Sequence, residues 1–283
     1  MQPIIIPNPE QLNKTIANMI KDGPAKLHIL SDFDQTLTKG FYKSKKATSI
    51  ISHLRNGNYL TSDYAEKSHA LFDKYHPIEI DSKIPLQIRK KEMEEWWKLH
   101  FKLLIDSGLD KKTIIRSTKD MVAEDTLDFR KSSQEFFDIL KNNNIPLIIM
   151  SSSVGDLISE FINQKGVNSE NVHIISNLFE FDKSGKATGI KEIVHVFNKH
   201  ELEVKSLPIY NELLYRTNVI LMGDSLGDLG MVSGFPYKNL IKIGFLNENK
   251  ENNLEEFKKN FDIIITNDPD MGYVNKLLKK IIG

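Results

Sequence analysis

Asp32-Phe33-Asp34-Gln35-Thr36 places two carboxylates two residues apart, at the end of a short apolar run. On a strand end that leads into a loop, both can face one crevice. There one can attack a phosphorus atom while the other manages the proton of the leaving group. The competing reading is an Asx-rich turn with no chemistry. A second acidic cluster, Gly223-Asp224-Ser225-Leu226-Gly227-Asp228, follows the apolar run Asn218–Met222. A carboxylate there can complete an all-oxygen site for Mg²⁺ with Asp32 and Asp34, and two acidic strand ends are harder to dismiss as turns than one. Ser151, after Pro146–Met150, offers a hydroxyl and nearby backbone N–H groups to a phosphoryl oxygen. Lys199 could neutralise phosphate charge, although it is one of 38 basic residues and its spacing does not single it out. His195 and His200 have no further ligand at metal-site spacing and read as surface or packing residues.

These residues need a frame that brings them together. Lys26–Leu30, Pro146–Met150, Val172–Ile175, Asn218–Met222, Leu240–Ile243 and Phe261–Ile265 are short, nearly continuous apolar runs. Helical patterns over roughly 129–142, 154–165 and 208–215 alternate with them. This predicts an α/β fold with a parallel sheet covered on both faces. Ligands of such sheets bind beyond the carboxyl ends of the strands, where the Ser, Asp and Gly clusters would meet. Asn8-Pro9 opens an earlier helix and Gly23-Pro24 closes it, while Phe179–Lys186 reads as a hairpin. From 45 to 126 the apolar residues recur at three-to-four spacing with no comparable strand run. The expected division is a core of 1–44 and 127–283 with a helical insertion, 45–126, placed straight after the first acidic motif. Trp96, Trp97 and His100 fall on one helix of that insertion. An indole there can stack on a nucleobase, although an aromatic stripe at helical spacing is more often core. Glu79 can accept hydrogen bonds from an exocyclic amino group, or be a solvated loop carboxylate.

Composition narrows the function classes. Thirty-eight basic and thirty-eight acidic residues cancel, so neither a nucleic-acid polymer nor an anionic membrane surface is an expected partner. There is no cysteine, which removes disulfides, thiolate nucleophiles and cysteine metal sites together. No window approaches the roughly 18 apolar residues of a membrane span. Met1–Pro7 lacks a basic targeting segment, and a cytoplasmic monomer is expected.

In that order along the chain, Asp32-Phe33-Asp34-Gln35-Thr36-Leu37, Ser151, Lys199 and Gly223–Asp228 resemble the four motifs of the haloacid dehalogenase (HAD) superfamily. The finer resemblance is to the cytosolic 5′-nucleotidase III family, also called pyrimidine 5′-nucleotidases. It runs from about Leu27 onward and includes Pro77–Asp81, Glu95-Trp96-Trp97, Ser151–Asp156, His195–His200 and Ile241–Asn247. The resemblance implies a HAD-like Rossmannoid core with an inserted helical cap. It also implies Asp32 as nucleophile and Asp34 as general acid/base. Mg²⁺ would lie on Asp32, the Asp34 carbonyl and Asp224, with Asp228 in support. Ser151, Ser152 and Lys199 would bind the phosphoryl group, and Glu79 and the position of His100 would line the nucleoside side. Two departures stand out: Ser152-Ser153 replaces the usual Ala-Gly, and His100 stands where relatives carry a smaller residue.

The expected reaction is Mg²⁺-dependent hydrolysis of a nucleoside 5′-monophosphate through an aspartyl-phosphate, with phosphotransfer as a side activity. Pyrimidine nucleotides such as CMP and UMP, and 7-methylguanosine monophosphate, both remain open. Two alternatives stand beside it. One is a HAD phosphatase for another small monoester; the other is an aspartyl-phosphorylated signalling module, which Asp34 and the large cap disfavour.

Overall fold

The computed structural model describes residues 4–43, 45–81, 83–191, 193–198, 209–268 and 270–283. The chain opens with β1 (Ile4–Ile5), α1 (Pro9–Asp22) and β2 (Leu27–Ser31). A small antiparallel pair, β3 (Phe41–Tyr42) and β4 (Lys45–Lys46), leads into α2 (Ile50–Asn56), α3 (Tyr64–Ile80), α4 (Leu86–Asp106) and α5 (Lys111–Ala123). Then follow α6 (Ser133–Asn142), β5 (Leu147–Val154), α7 (Gly155–Gln164), β6 (Val172–Asn177), and the pair β7 (Phe179–Phe181) and β8 (Ala187–Ile190). The remainder is α8 (Tyr210–Leu213), β9 (Asn218–Gly223), a 3₁₀ stretch (Leu226–Gly234), β10 (Asn239–Leu246), α9 (Lys250–Asn260), β11 (Ile263–Thr266) and α10 (Gly272–Ile282).

Among the described residues seven strands share one sheet, in the order β1-β11-β10-β9-β2-β5-β6. Every pairing is parallel except that of β1, which runs antiparallel along β11. This edge strand is an addition to the parallel sheet expected from sequence. Ile4-Ile5 is too short a run to declare itself, and it becomes a strand by covering an otherwise open edge.

The continuous apolar runs follow from burial on both faces, because successive side chains of a strand point to opposite sides. Leu27, Ile29, Ile149, Ile220 and Ile243 pack into one cluster with Leu12 and Ile16 of α1, Phe136 of α6 and Leu278 of α10. Leu30, Ile148, Met150, Val219 and Leu221 turn the other way, onto Val194, Leu213, Met231 and Phe235. The α1 boundaries obey local chemistry. The Asn8 side chain accepts from the Gln11 N–H at 3.0 Å, and Gly23, at φ +80°, ends the helix where a side chain would be strained.

The four helices α2–α5 pack against the sheet layer. Ile50, Ile51, Leu54, Tyr64, Trp97, Phe101, Ile114 and Met121 belong to the same buried cluster as Leu27 and Ile149, and α5 packs along α7. Only a small aromatic cluster between α3 and α4, built on Tyr75, Met93 and Trp96, stands apart. No helix among the described residues is long and apolar enough to cross a membrane.

Candidate active site

β2 and β9 are neighbours, paired Ser31 to Met222, and the Asp32 N–H donates to the Met222 carbonyl at 3.0 Å. The two acidic strand ends therefore lie side by side. One carboxylate oxygen from each of Asp32, Asp224 and Asp228 falls within 4.8 Å of the others. Asp228 reaches in because its Oδ2 accepts from the Ser225 N–H at 3.0 Å and the Ser225 hydroxyl at 2.9 Å, which caps the 3₁₀ stretch. Gly223 makes room for it: a Cβ there would stand 2.4 Å from the Asp228 Cβ. Three carboxylates this close repel one another unless a cation lies among them, and an all-oxygen donor set suits a hard divalent ion. The triad can coordinate a divalent metal.

Asp34 sits two residues beyond Asp32 and faces the helices. Its Oδ1 accepts from the Ile50 N–H at 2.9 Å, at the start of α2, where the helix dipole favours an anion. The turn between is held by Arg130, which is fully buried. Its guanidinium donates to the Thr36 carbonyl at 2.7 Å, to the Gln35 carbonyl, to Asn247 Oδ1 at 2.9 Å and to Asp268 Oδ1 at 2.7 Å. Gln35 itself is in the left-handed region at φ +59°, a conformation that this clamp stabilises.

β5 runs past the expected Met150 end to Val154, with an irregularity in its register, and so carries Ser151, Ser152 and Ser153 along the same crevice. Ser151 and Ser153 are buried, and Ser151 Oγ accepts from the Ser153 N–H at 3.1 Å. Asn177 fixes the backbone behind them, its amide donating to the carbonyls of Ser152, Ser153 and Val194. The Ser153 hydroxyl has no hydrogen-bond partner among the described residues.

These groups line one side of a cavity of about 400 Å³, and the helices supply the other. Trp96 and Trp97 both reach it while remaining 5% and 8% exposed. Trp96 stacks on Tyr75 at 5.9 Å, Trp97 on Phe101 at 5.1 Å, and the buried Trp96 indole N–H has no partner among the described residues. The two indoles are thus core residues with an edge on the cavity. Glu79 lines it too, with its Oε2 2.9 Å from His76 Nδ1. His100 is not in the lining. It is buried behind the wall, its Nε2 3.1 Å from the Tyr64 hydroxyl and 3.2 Å from that of Ser68. Burial, then the charge of Arg55, pushes its pKa down to about 3. Lys199 lies outside the described residues.

The lining also contains residues that sequence reasoning passed over: Arg55, Phe72, His76 and Ser153. Arg55 carried a faint signal, being a charged residue next to Leu54 on the apolar stripe of α2. Arg130 carried none, because its partners are spread from Gln35 to Asp268.

The sequence profile described as Pyrimidine 5′-nucleotidase (UMPH-1) matches residues 35–282. The chain is 33% identical over 281 residues to the 7-methylguanosine phosphate-specific 5′-nucleotidase of Mus musculus, covering 99% of this chain and 92% of that protein. It is 34% identical, with the same coverage, to the Homo sapiens protein of that name. Among solved structures, cytosolic 5′-nucleotidase IIIB bound to cytidine superposes with a TM-score of 0.89 at 27% identity, covering 98% of this chain and 93% of that one. A probable phosphoserine phosphatase from Vibrio cholerae shares the fold, with a TM-score of 0.54 at 11% identity, covering 92% of this chain and 66% of the other.

Proposed function

The chain belongs to the pyrimidine 5′-nucleotidase family, and from that premise we propose that it hydrolyses nucleoside 5′-monophosphates. The substrates would be pyrimidine nucleotides such as CMP and UMP, or 7-methylguanosine 5′-monophosphate. It is an enzyme, a phosphoric monoester hydrolase on a HAD-like Rossmannoid core. The observation that carries the reading is the juxtaposition of Asp32, Asp224 and Asp228 within 4.8 Å at one end of a cavity whose other wall is aromatic.

In this reading one carboxylate oxygen of Asp32 attacks phosphorus. The bond from phosphorus to the 5′-oxygen breaks, and Asp34 gives that oxygen its proton. The product is an aspartyl-phosphate on Asp32 and a free nucleoside. Asp34, now a base, takes a proton from water, whose oxygen attacks phosphorus; the bond to Asp32 breaks and phosphate leaves. A second nucleoside in place of that water would give phosphotransfer. Asp32, Asp224 and the Asp34 carbonyl, with Asp228 in support, would hold Mg²⁺, which when bound offsets the repulsion between carboxylate and phosphate. Ser151, Ser152 and Lys199 bind the phosphoryl oxygens. The edges of Trp96 and Trp97, with Glu79, take the nucleoside; His100 supports this wall from behind. We place the protein in the cytosol, by analogy with the Caenorhabditis elegans relative named as a putative cytosolic 5′-nucleotidase 3.

Phosphate release from CMP, UMP, 7-methyl-GMP, AMP and phosphoserine in Mg²⁺ tests the proposal. The wild type is expected to favour nucleotides over phosphoserine, and Asp32→Asn to abolish both turnover and any covalent phospho-enzyme. Comparable hydrolysis by Asp32→Asn would refute the assignment.

A further inference from the structure

Arg55, on α2, is 6% exposed and lines the cavity, yet it makes no hydrogen bond or ion pair among the described residues, and its Nε is buried without a partner. A buried charge left unpaired is costly. The other buried arginines conform to that rule. Arg130 is saturated by Asp268, Asn247 and two carbonyls, and Arg216 donates to Glu212, to the Leu27 carbonyl at 3.0 Å and to the Asn144 carbonyl at 2.9 Å. Among the described residues Arg55 rests on an aromatic face, its guanidinium carbon lying 4.5 Å from the Phe72 ring centroid, and it feels the charge of Asp73 without forming an ion pair with it. Its donors are therefore free for whatever enters the cavity.

Its position indicates which part of a nucleotide it would meet. The first turn of α2 touches Asp34 through the Ile50 N–H. Arg55 lies five residues further along, about 7.5 Å at the helical rise. Phe72, beneath it, continues to His76 at 4.6 Å and Trp96 at 6.0 Å. The guanidinium thus belongs to the aromatic wall, away from the carboxylates and towards the end where a base would lie. A guanidinium only donates, and it is always positive. It suits a base edge that presents a carbonyl oxygen and carries no charge, as uracil and cytosine do at O2. The 7-methylguanine ring is a cation and would be repelled.

We infer that Arg55 is a specificity-determining residue that selects uncharged, carbonyl-bearing pyrimidine bases over cationic 7-methylguanine. The inference rests on the nucleotidase reading and deepens it. To test it, kcat/KM is measured for UMP, CMP and 7-methyl-GMP, at mildly acidic pH where 7-methylguanine is fully cationic. The proteins are the wild type, Arg55→Gln and Arg55→Lys, each checked by thermal melting. The wild type should prefer UMP to 7-methyl-GMP by roughly tenfold or more. Arg55→Gln should shrink that ratio by a similar factor, mainly through KM, and Arg55→Lys should retain most of the discrimination because it keeps the charge. Should Arg55→Gln not fold, competitive inhibition of the wild type by uridine and by 7-methylguanosine gives the same comparison, with uridine expected to bind tighter. Equal wild-type preference, or an unchanged ratio in folded Arg55→Gln, overturns the inference alone. A wild type that hydrolyses no nucleotide overturns the nucleotidase reading instead.

Discussion

The Ser153 hydroxyl is buried with no partner among the described residues, although the N–H of the same residue is tied to Ser151 Oγ. An unsatisfied buried hydroxyl costs stability, roughly 1–3 kcal/mol in full. Next to the proposed phosphoryl site that cost has a use, because the hydroxyl is ready to donate to a phosphate oxygen. Ser153→Ala should therefore raise the melting temperature by a few degrees and lower kcat/KM for every nucleotide, by roughly threefold to tenfold. A variant changed in neither direction would mean that this hydroxyl serves nothing. At this scale the sequence was readable where chemistry coincides with a strand end. Asp32, Asp34, Asp224, Asp228 and Ser151 lie around one cavity because parallel strands deliver their carboxyl ends to one edge. Arg55 was readable only faintly and Ser153 not as a site residue, since what marks them is burial without a partner among the described residues, a property of the folded neighbourhood. His100 shows the opposite failure. Helical spacing puts it near Trp96 and Trp97, but spacing does not reveal that Tyr64 and Ser68 wait on its side of α4.

The elements that matter most to the site are the turn after β2 and the segment leading into α6. The helical pattern over 129–142 yields a helix only from Ser133, because Ser132, at φ +64°, and Arg130 belong to a turn that clamps Gln35 and Thr36. Likewise β5 does not stop at Met150. A Ser-Ser-Ser run reads as a turn, whereas pairing with β6 and the Asn177 amide keep it extended to Val154. Replacing Arg130 by Met would take the guanidinium from Asp268, which keeps the Gly40 and Phe41 N–H donors, strand two carbonyls and release the turn that aims Asp34. We expect a loss of about 3–5 kcal/mol, the range for breaking a buried pair, measured by urea unfolding. The surviving folded fraction should show reduced kcat. A variant as stable as the wild type would show that the clamp is dispensable.

The molecule as a whole should be sensitive to acid through two histidines far apart in the fold. Burial pushes the pKa of His28 down to about 4, and that of His100 down to about 3, from an ordinary value of 6.5. Both are neutral in the folded protein, so below 6.5 the unfolded chain binds more protons. Stability is full above that value and falls as the pH drops towards the folded-state values, by up to about 1.4 kcal/mol per pH unit for each histidine. Thermal melts in Mg²⁺ should show the transition falling between neutral pH and about pH 5, with a shallower slope in His100→Gln. A flat profile would exclude the linkage. The overall architecture was legible for a related reason: long apolar runs announce a two-sided sheet whatever the loops do. The packing of α2 and α5 against the core was not, because helical periodicity gives the apolar face of a helix but not what it faces. The topology also has a consequence in time. β2 pairs with β5 and β9, whose residues lie about 120 and about 190 positions further along the chain. A ribosome adding 5–20 residues per second exposes Asp32 roughly 10–40 s before Asp224 exists to stand beside it. Until β9 is made, the nascent chain carries its nucleophile without a complete metal site, so no translation product truncated before Asp224 can have this chemistry.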